Sequence, residues 1–237
     1  MIVVDVRTVR LDADPTHLAT AAALLSPDES DRAARFRFER HRMRFTLARS
    51  ALRIFLGRLL NCDPKCVQFQ YGPKGKPDLA GGLSPVSFNA SNSGDLAAYA
   101  FTTACPIGID IEHIRPMPDL HDVARHFFSS DEVTDLMNLP DDERPAGFFR
   151  CWTRKEAYIK AVGDGLSLPL DSFRVTLLPS DPPRIVHLRG SGDSAANWSL
   201  HAFTPAPGYF GAFAYPDHPR PIQFNPPETV QEMLDSL

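Results

Sequence analysis

From Ile107 to Glu112 the chain reads Ile-Gly-Ile-Asp-Ile-Glu, with an aliphatic residue at every second position, and this alternation points to a strand. Successive side chains of a strand turn to opposite faces, so Asp110 and Glu112 project together while the isoleucines require a covered face. Some forty residues later, Trp152-Thr153-Arg154-Lys155-Glu156-Ala157-Tyr158-Ile159-Lys160-Ala161 follows a helical pattern. Glu156 and Lys160, four apart, share a helix face about one turn from each other. Phe148, Trp152, Glu156 and Lys160 form one slowly drifting line, which sets the acid and the base beside an aromatic packing edge.

Three carboxylates brought together in a partly dry cleft repel one another, and unpaired charges there cost on the order of several kcal/mol. Such a set calls for a hard cation. Ligation by a few carboxylates, completed by water and phosphate oxygens, is how Mg2+ is held, and Mn2+ accepts the same ligand type.

The 237 residues, 43% hydrophobic and 23% charged, suffice for one large domain or two small ones. A net charge of -4 excludes a general nucleic-acid or anionic-membrane binder, so an anionic ligand must meet a local basic site. The N-terminus reads as a strand without a signal peptide, which implies a cytoplasmic protein. Neither the four cysteines nor the eight histidines fall at metal-ligating spacings.

Ser26-Pro27-Asp28-Glu29 has the form of a capping box and predicts a helix to about Phe38. A second helix is expected from about His41 to Leu60, with Arg42, Arg44, Arg49 and Arg53 on its polar face; Arg42 and Arg53 read as plain surface residues. A short strand from Cys66 to Tyr71 precedes the turn-rich Gly72-Pro73-Lys74-Gly75-Lys76-Pro77. Val86 to Asn89 and Leu96 to Phe101 predict a hairpin whose turn is Ser91-Asn92-Ser93-Gly94-Asp95. Beyond Pro116, helices are expected from Val123 to Phe128, from a cap at Ser130, and from about Pro145 to Ala161 with Gly163 as the stop. Strands follow over 173–178, 184–188, 198–203 and 209–215. The two hairpins echo each other, which suggests a duplicated α+β unit divided as residues 1–106 and 107–237.

Three blocks in this order resemble the Sfp-type 4′-phosphopantetheinyl transferases. They are Phe88-Asn89-Ala90-Ser91-Asn92-Ser93-Gly94, Ile107 to Glu112, and Trp152 to Lys160 continuing through Gly163-Asp164-Gly165-Leu166-Ser167-Leu168-Pro169-Leu170. The similarity runs from about Ser26 to Val175. It implies an α+β fold of two similar halves related by pseudo-twofold symmetry, in a monomer. It also implies transfer of the phosphopantetheine arm of coenzyme A to a serine of an apo acyl or peptidyl carrier protein, with release of adenosine 3′,5′-bisphosphate. By this resemblance Asp110, Glu112 and Glu156 hold Mg2+, Lys160 faces the diphosphate, and Lys76, Ser91, Asn92, Arg44 and Arg49 bind the nucleotide end. Either Glu156 or a water on the ion takes the serine proton.

The chain departs from the family at Asn92, where His is usual. Asn donates only a neutral hydrogen bond, which implies weaker coenzyme A binding. The apolar segment Gly165 to Leu170 is the expected carrier contact. Two other readings compete: a coenzyme A-binding module with little turnover, and a metal-dependent phosphodiesterase that delivers water in place of serine.

Overall fold

The computed structural model describes residues 3–81, 85–103, 105–163, 168–188 and 194–237. Its fold is mixed α+β. Strand β1 (Val4–Arg10) leads into helices α1 (Pro15–Ala22), α2 (Pro27–Ala34) and the long α3 (Glu39–Leu60). A small hairpin, β2 (Phe69–Tyr71) and β3 (Pro77–Leu79), precedes a larger one, β4 (Val86–Ser93) and β5 (Leu96–Thr103). The order then repeats: β6 (Gly108–His113), helices α4 (Leu120–Phe127) and α5 (Ser130–Met137), and the long α6 (Arg144–Val162). A small hairpin, β7 (Phe173–Val175) and β8 (Ile185–Leu188), and a larger one, β9 (Trp198–Phe203) and β10 (Tyr209–Pro216), complete the second unit. The chain closes with β11 (Ile222–Phe224), β12 (Glu228–Thr229) and α7 (Val230–Asp235).

Strand pairing follows the same rule in both units. The opening strand lies antiparallel to the second strand of the large hairpin, giving β1-β5-β4 and β6-β10-β9. One face of each sheet packs on its long helix: Tyr99 and Phe101 meet Leu47, Ile54 and Phe55 of α3, while Ala212 and Ala214 meet Phe148, Ala157 and Ala161 of α6. The opposite faces close on each other through Val4, Val6, Ala98, Ala100, Ile107, Ile109, Ile111, Phe213 and Tyr215. The isoleucines that made the 107–112 segment conspicuous in the sequence are therefore the seam between the two sheets.

Each unit also carries a buried ionic staple. Glu29 accepts from the Ser26 amide at 2.9 Å and from Arg53 Nε at 2.6 Å, and Arg53 Nη1 donates to the carbonyls of Pro64 and Val67. Glu132 accepts from the Ser129 amide at 2.8 Å and pairs with Lys155 at 2.8 Å, and Lys155 Nζ donates to the carbonyls of Leu170 and Phe173. Arg53 is thus a core residue, 2% exposed, and not the surface residue that its helix face suggested. The cap of α5 is Ser129, one residue before the expected Ser130.

The tail returns to the first unit. β11 and β12 pair in parallel with β1, and Val230, Met233 and Leu234 of α7 enter the core around α3. Among the described residues no helix is long and apolar enough to cross a membrane.

Candidate active site

Strand β4 runs on to Ser93, and only Gly94-Asp95 form the hairpin turn, with Gly94 at φ 57°. This is the positive φ that a two-residue hairpin turn favours at its first position. Ser91, Asn92 and Ser93 are therefore strand residues and not the turn expected from their composition. Strand alternation sends Asn89, Ser91 and Ser93 toward β6. Asn89 Oδ1 accepts from the Ile109 amide at 2.9 Å, Ser91 Oγ donates to Asp110 Oδ1 at 2.8 Å, and Ser93 Oγ donates to Glu112 Oε2 at 2.8 Å. The His113 amide in turn donates to Ser93 Oγ at 3.1 Å.

The long helix α6 approaches β6 at Gly108, where a Cβ would lie 2.1 Å from the Ala157 carbonyl oxygen and 2.3 Å from the Ala161 nitrogen. Because no side chain separates strand from helix there, Lys160 reaches across. Its ammonium donates to Asp110 Oδ1 at 2.7 Å, to Ser91 Oγ at 3.2 Å and to the Ile109 carbonyl at 3.2 Å. Burial pushes the Glu156 carboxyl above the usual carboxylate range; Asp110 and Glu112 push it the same way as like charges, while Lys160 opposes. Burial likewise raises Asp110, against the charge of Lys160 and the hydrogen bonds from Lys160 and Ser91. The two acidic segments thus meet in space.

They do not form a ready-made ligand group: among the described residues no three His, Cys, Asp or Glu side chains are set to hold a metal ion. The ammonium of Lys160 takes Asp110 Oδ1, while Asp110 Oδ2 is buried with no partner. Glu112 is shared with Arg115 Nη1 at 3.2 Å.

Beside this cluster lies a cleft of about 860 Å3, lined by Arg44, Arg49, Ser91, Asn92 and Glu112. Arg44 is anchored to Asp95 of the hairpin turn at 2.6 Å, and Arg49 lies 3.6 Å from Glu29 with its Nη1 buried and unpartnered. Arg32, Arg40 and His41 also line the cleft, and sequence reading passed over them. The dense basic run from Arg32 to Arg44 in a chain of net negative charge was the available signal. Lys76 stands apart from this wall. Its ammonium donates to the carbonyls of Lys160 at 2.5 Å and Ile107 at 3.3 Å, so it caps the end of α6 and ties the two units together. Of the expected carrier-contact segment, residues 165–167 lie outside the described residues.

Two family models match in succession. The "4′-phosphopantetheinyl transferase, N-terminal" model covers residues 12–104, and the "4′-phosphopantetheinyl transferase superfamily" model covers residues 106–214. The chain is 41% identical over 199 residues to the 4′-phosphopantetheinyl transferase HetI of Nostoc sp., a match covering 83% of this chain and 81% of that one. It is 34% identical over 202 residues to the 4′-phosphopantetheinyl transferase Sfp of Bacillus subtilis, covering 84% and 87% respectively. Matched across most of its length by relatives at this identity, the chain belongs to the 4′-phosphopantetheinyl transferase superfamily.

Proposed function

We propose that this chain transfers the 4′-phosphopantetheine arm of coenzyme A to a serine of an apo acyl or peptidyl carrier protein, in fatty-acid, polyketide or nonribosomal-peptide synthesis, releasing adenosine 3′,5′-bisphosphate. One observation carries the reading. Glu112 of β6 lines an arginine-rich cleft of about 860 Å3, and Glu156 of α6 feels the charges of Asp110 and Glu112.

The donor types suit a hard divalent cation: Glu156 feels the charges of Asp110 and Glu112, and Asp110 Oδ2 is buried with no hydrogen-bond partner among the described residues. Asp110, Glu112 and Glu156 would hold Mg2+, or Mn2+ in its place. The ion when bound supplies Lewis-acid polarisation of the diphosphate and neutralises charge on the leaving group. The chain's own residues do the rest. Arg44 and Arg49 bind the 3′-phosphate and Asn92 offers a neutral hydrogen bond along the cleft wall, while Ser91, whose one proton goes to Asp110, steadies the acid behind it. Lys76 acts on this site from behind, by fixing the end of α6. Lys160 supplies positive charge toward the diphosphate.

Glu156 receives the proton of the carrier serine as its Oγ forms a bond to the β-phosphorus and the bond to the bisphosphonucleoside oxygen breaks. We divide the chain as residues 1–106 and 107–237, two copies of one unit within a cytoplasmic monomer, with the tail crossing back to the first.

The test is to incubate an apo carrier with coenzyme A and Mg2+ and weigh it. A gain of one phosphopantetheine arm that Glu156→Gln abolishes supports both reaction and site. No gain across several carriers rejects the transfer, and release of phosphopantetheine without carrier labelling indicates hydrolysis instead.

A further inference from the structure

All three protons of the Lys160 ammonium already have acceptors: Asp110 Oδ1, Ser91 Oγ and the Ile109 carbonyl. A lysine so satisfied has no donor left for a phosphate. Its partner Asp110, only 5% exposed, accepts at Oδ1 from both Lys160 and Ser91 and at Oδ2 from nothing. The backbone beneath this contact is fixed, because Lys76 grips the Lys160 carbonyl at 2.5 Å and Gly108 lets α6 sit directly on β6. The side chain of Lys160 can change partners without moving that backbone.

An ammonium and a divalent cation on the same carboxylate repel each other strongly at such range, and burial of Asp110 limits the screening by water. We propose that Lys160 competes with the divalent cation for Asp110, so that cation entry displaces the ammonium and frees it to donate to an anion in the cleft. This makes Lys160 a positioning residue for Asp110 before it is a phosphate ligand. Metal loading thereby prepares the positive charge needed for the diphosphate. The inference rests on the cation reading of the site given above.

Binding of Mn2+ to the protein without coenzyme A, counted by electron paramagnetic resonance, tests it. Lys160→Met is expected to bind Mn2+ more tightly, on the order of tenfold, because a competing like charge is gone. Asp110→Asn is expected to lose the site. Unchanged or weaker binding in Lys160→Met, with loss in Asp110→Asn, overturns the competition and leaves the cation reading intact. Absence of Mn2+ binding in the natural chain overturns both. Should Lys160→Met not fold, the natural chain answers alone: amine labelling of Lys160, read by mass spectrometry, rises when Mg2+ is added while buried Lys155 stays unlabelled. Labelling of Lys160 that ignores Mg2+ overturns the proposal.

Discussion

The two units share strand order, long helix and buried staple, yet they treat the strand face beneath the long helix in opposite ways. In the first unit that face carries Asp5 and Arg7, paired at 2.9 Å, with Asn225 of the tail donating to Asp5 and Glu228 lying 3.9 Å from Arg7. In the second it carries Gly108, Asp110 and Glu112, and among the described residues the two acids meet Lys160, Arg115 and two serines. Where acids and bases neutralise each other locally and the tail covers them, nothing invites a ligand. In the second unit the acids lie beside an open cleft, and Asp110 Oδ2 is buried with no hydrogen-bond partner among the described residues.

The staples are the shared part, and breaking them has the largest expected effect. Glu29→Ala and Glu132→Ala should each cost about 3–5 kcal/mol, because each strands a buried positive charge. Urea denaturation measures this, and a cost below about 1 kcal/mol in either unit would break the equivalence of the two. Next comes Glu156→Gln, which should lower transfer by about 10²–10⁴-fold while raising the melting temperature, since it removes a like charge from the acidic cluster. A lowered melting temperature would show the carboxylate to be structural.

Gly108→Ala forces a methyl into the backbone of α6 and should cost about 1–3 kcal/mol together with transfer activity. A stability loss that leaves the rate untouched would uncouple the close approach from catalysis. Burial raises Asp110 and Glu156, so protons compete with the cation for them at a higher pH than for ordinary carboxylates. Mn2+ affinity should therefore fade on acidification before exposed carboxylates titrate, and a flat profile down to their usual range contradicts this. The smallest effect is Asn92→His, expected to tighten coenzyme A binding by about fivefold below neutral pH through a charge-assisted hydrogen bond.

Much of this was legible in the residues. Period-two alternation revealed β6, and four-residue spacing on α6 set Glu156 beside Lys160, because both patterns are local consequences of backbone geometry. At Ser91 to Ser93 composition suits a turn, while the rungs to Ile109, Asp110 and Glu112 keep the strand going. Arg53 looked like surface for a related reason: its partner Glu29 lies in another helix, and no local pattern reports such a pair. Helices α1 and α7 leave little trace in the sequence although Asp14 and Thr229 cap them, since neither carries an apolar run long enough to stand out. Lys76 was expected at the nucleotide, and its grip on the end of α6 depends on packing between units that sequence does not display.

The tail that pairs with β1 has a consequence for how the molecule assembles. The outer edge of the first sheet and part of the core around α3 are supplied by residues translated after the whole second unit. Without them the first unit lacks a sheet edge and part of its core. A gene split between β5 and β6 would yield a leading fragment whose β1 edge is left open and prone to association.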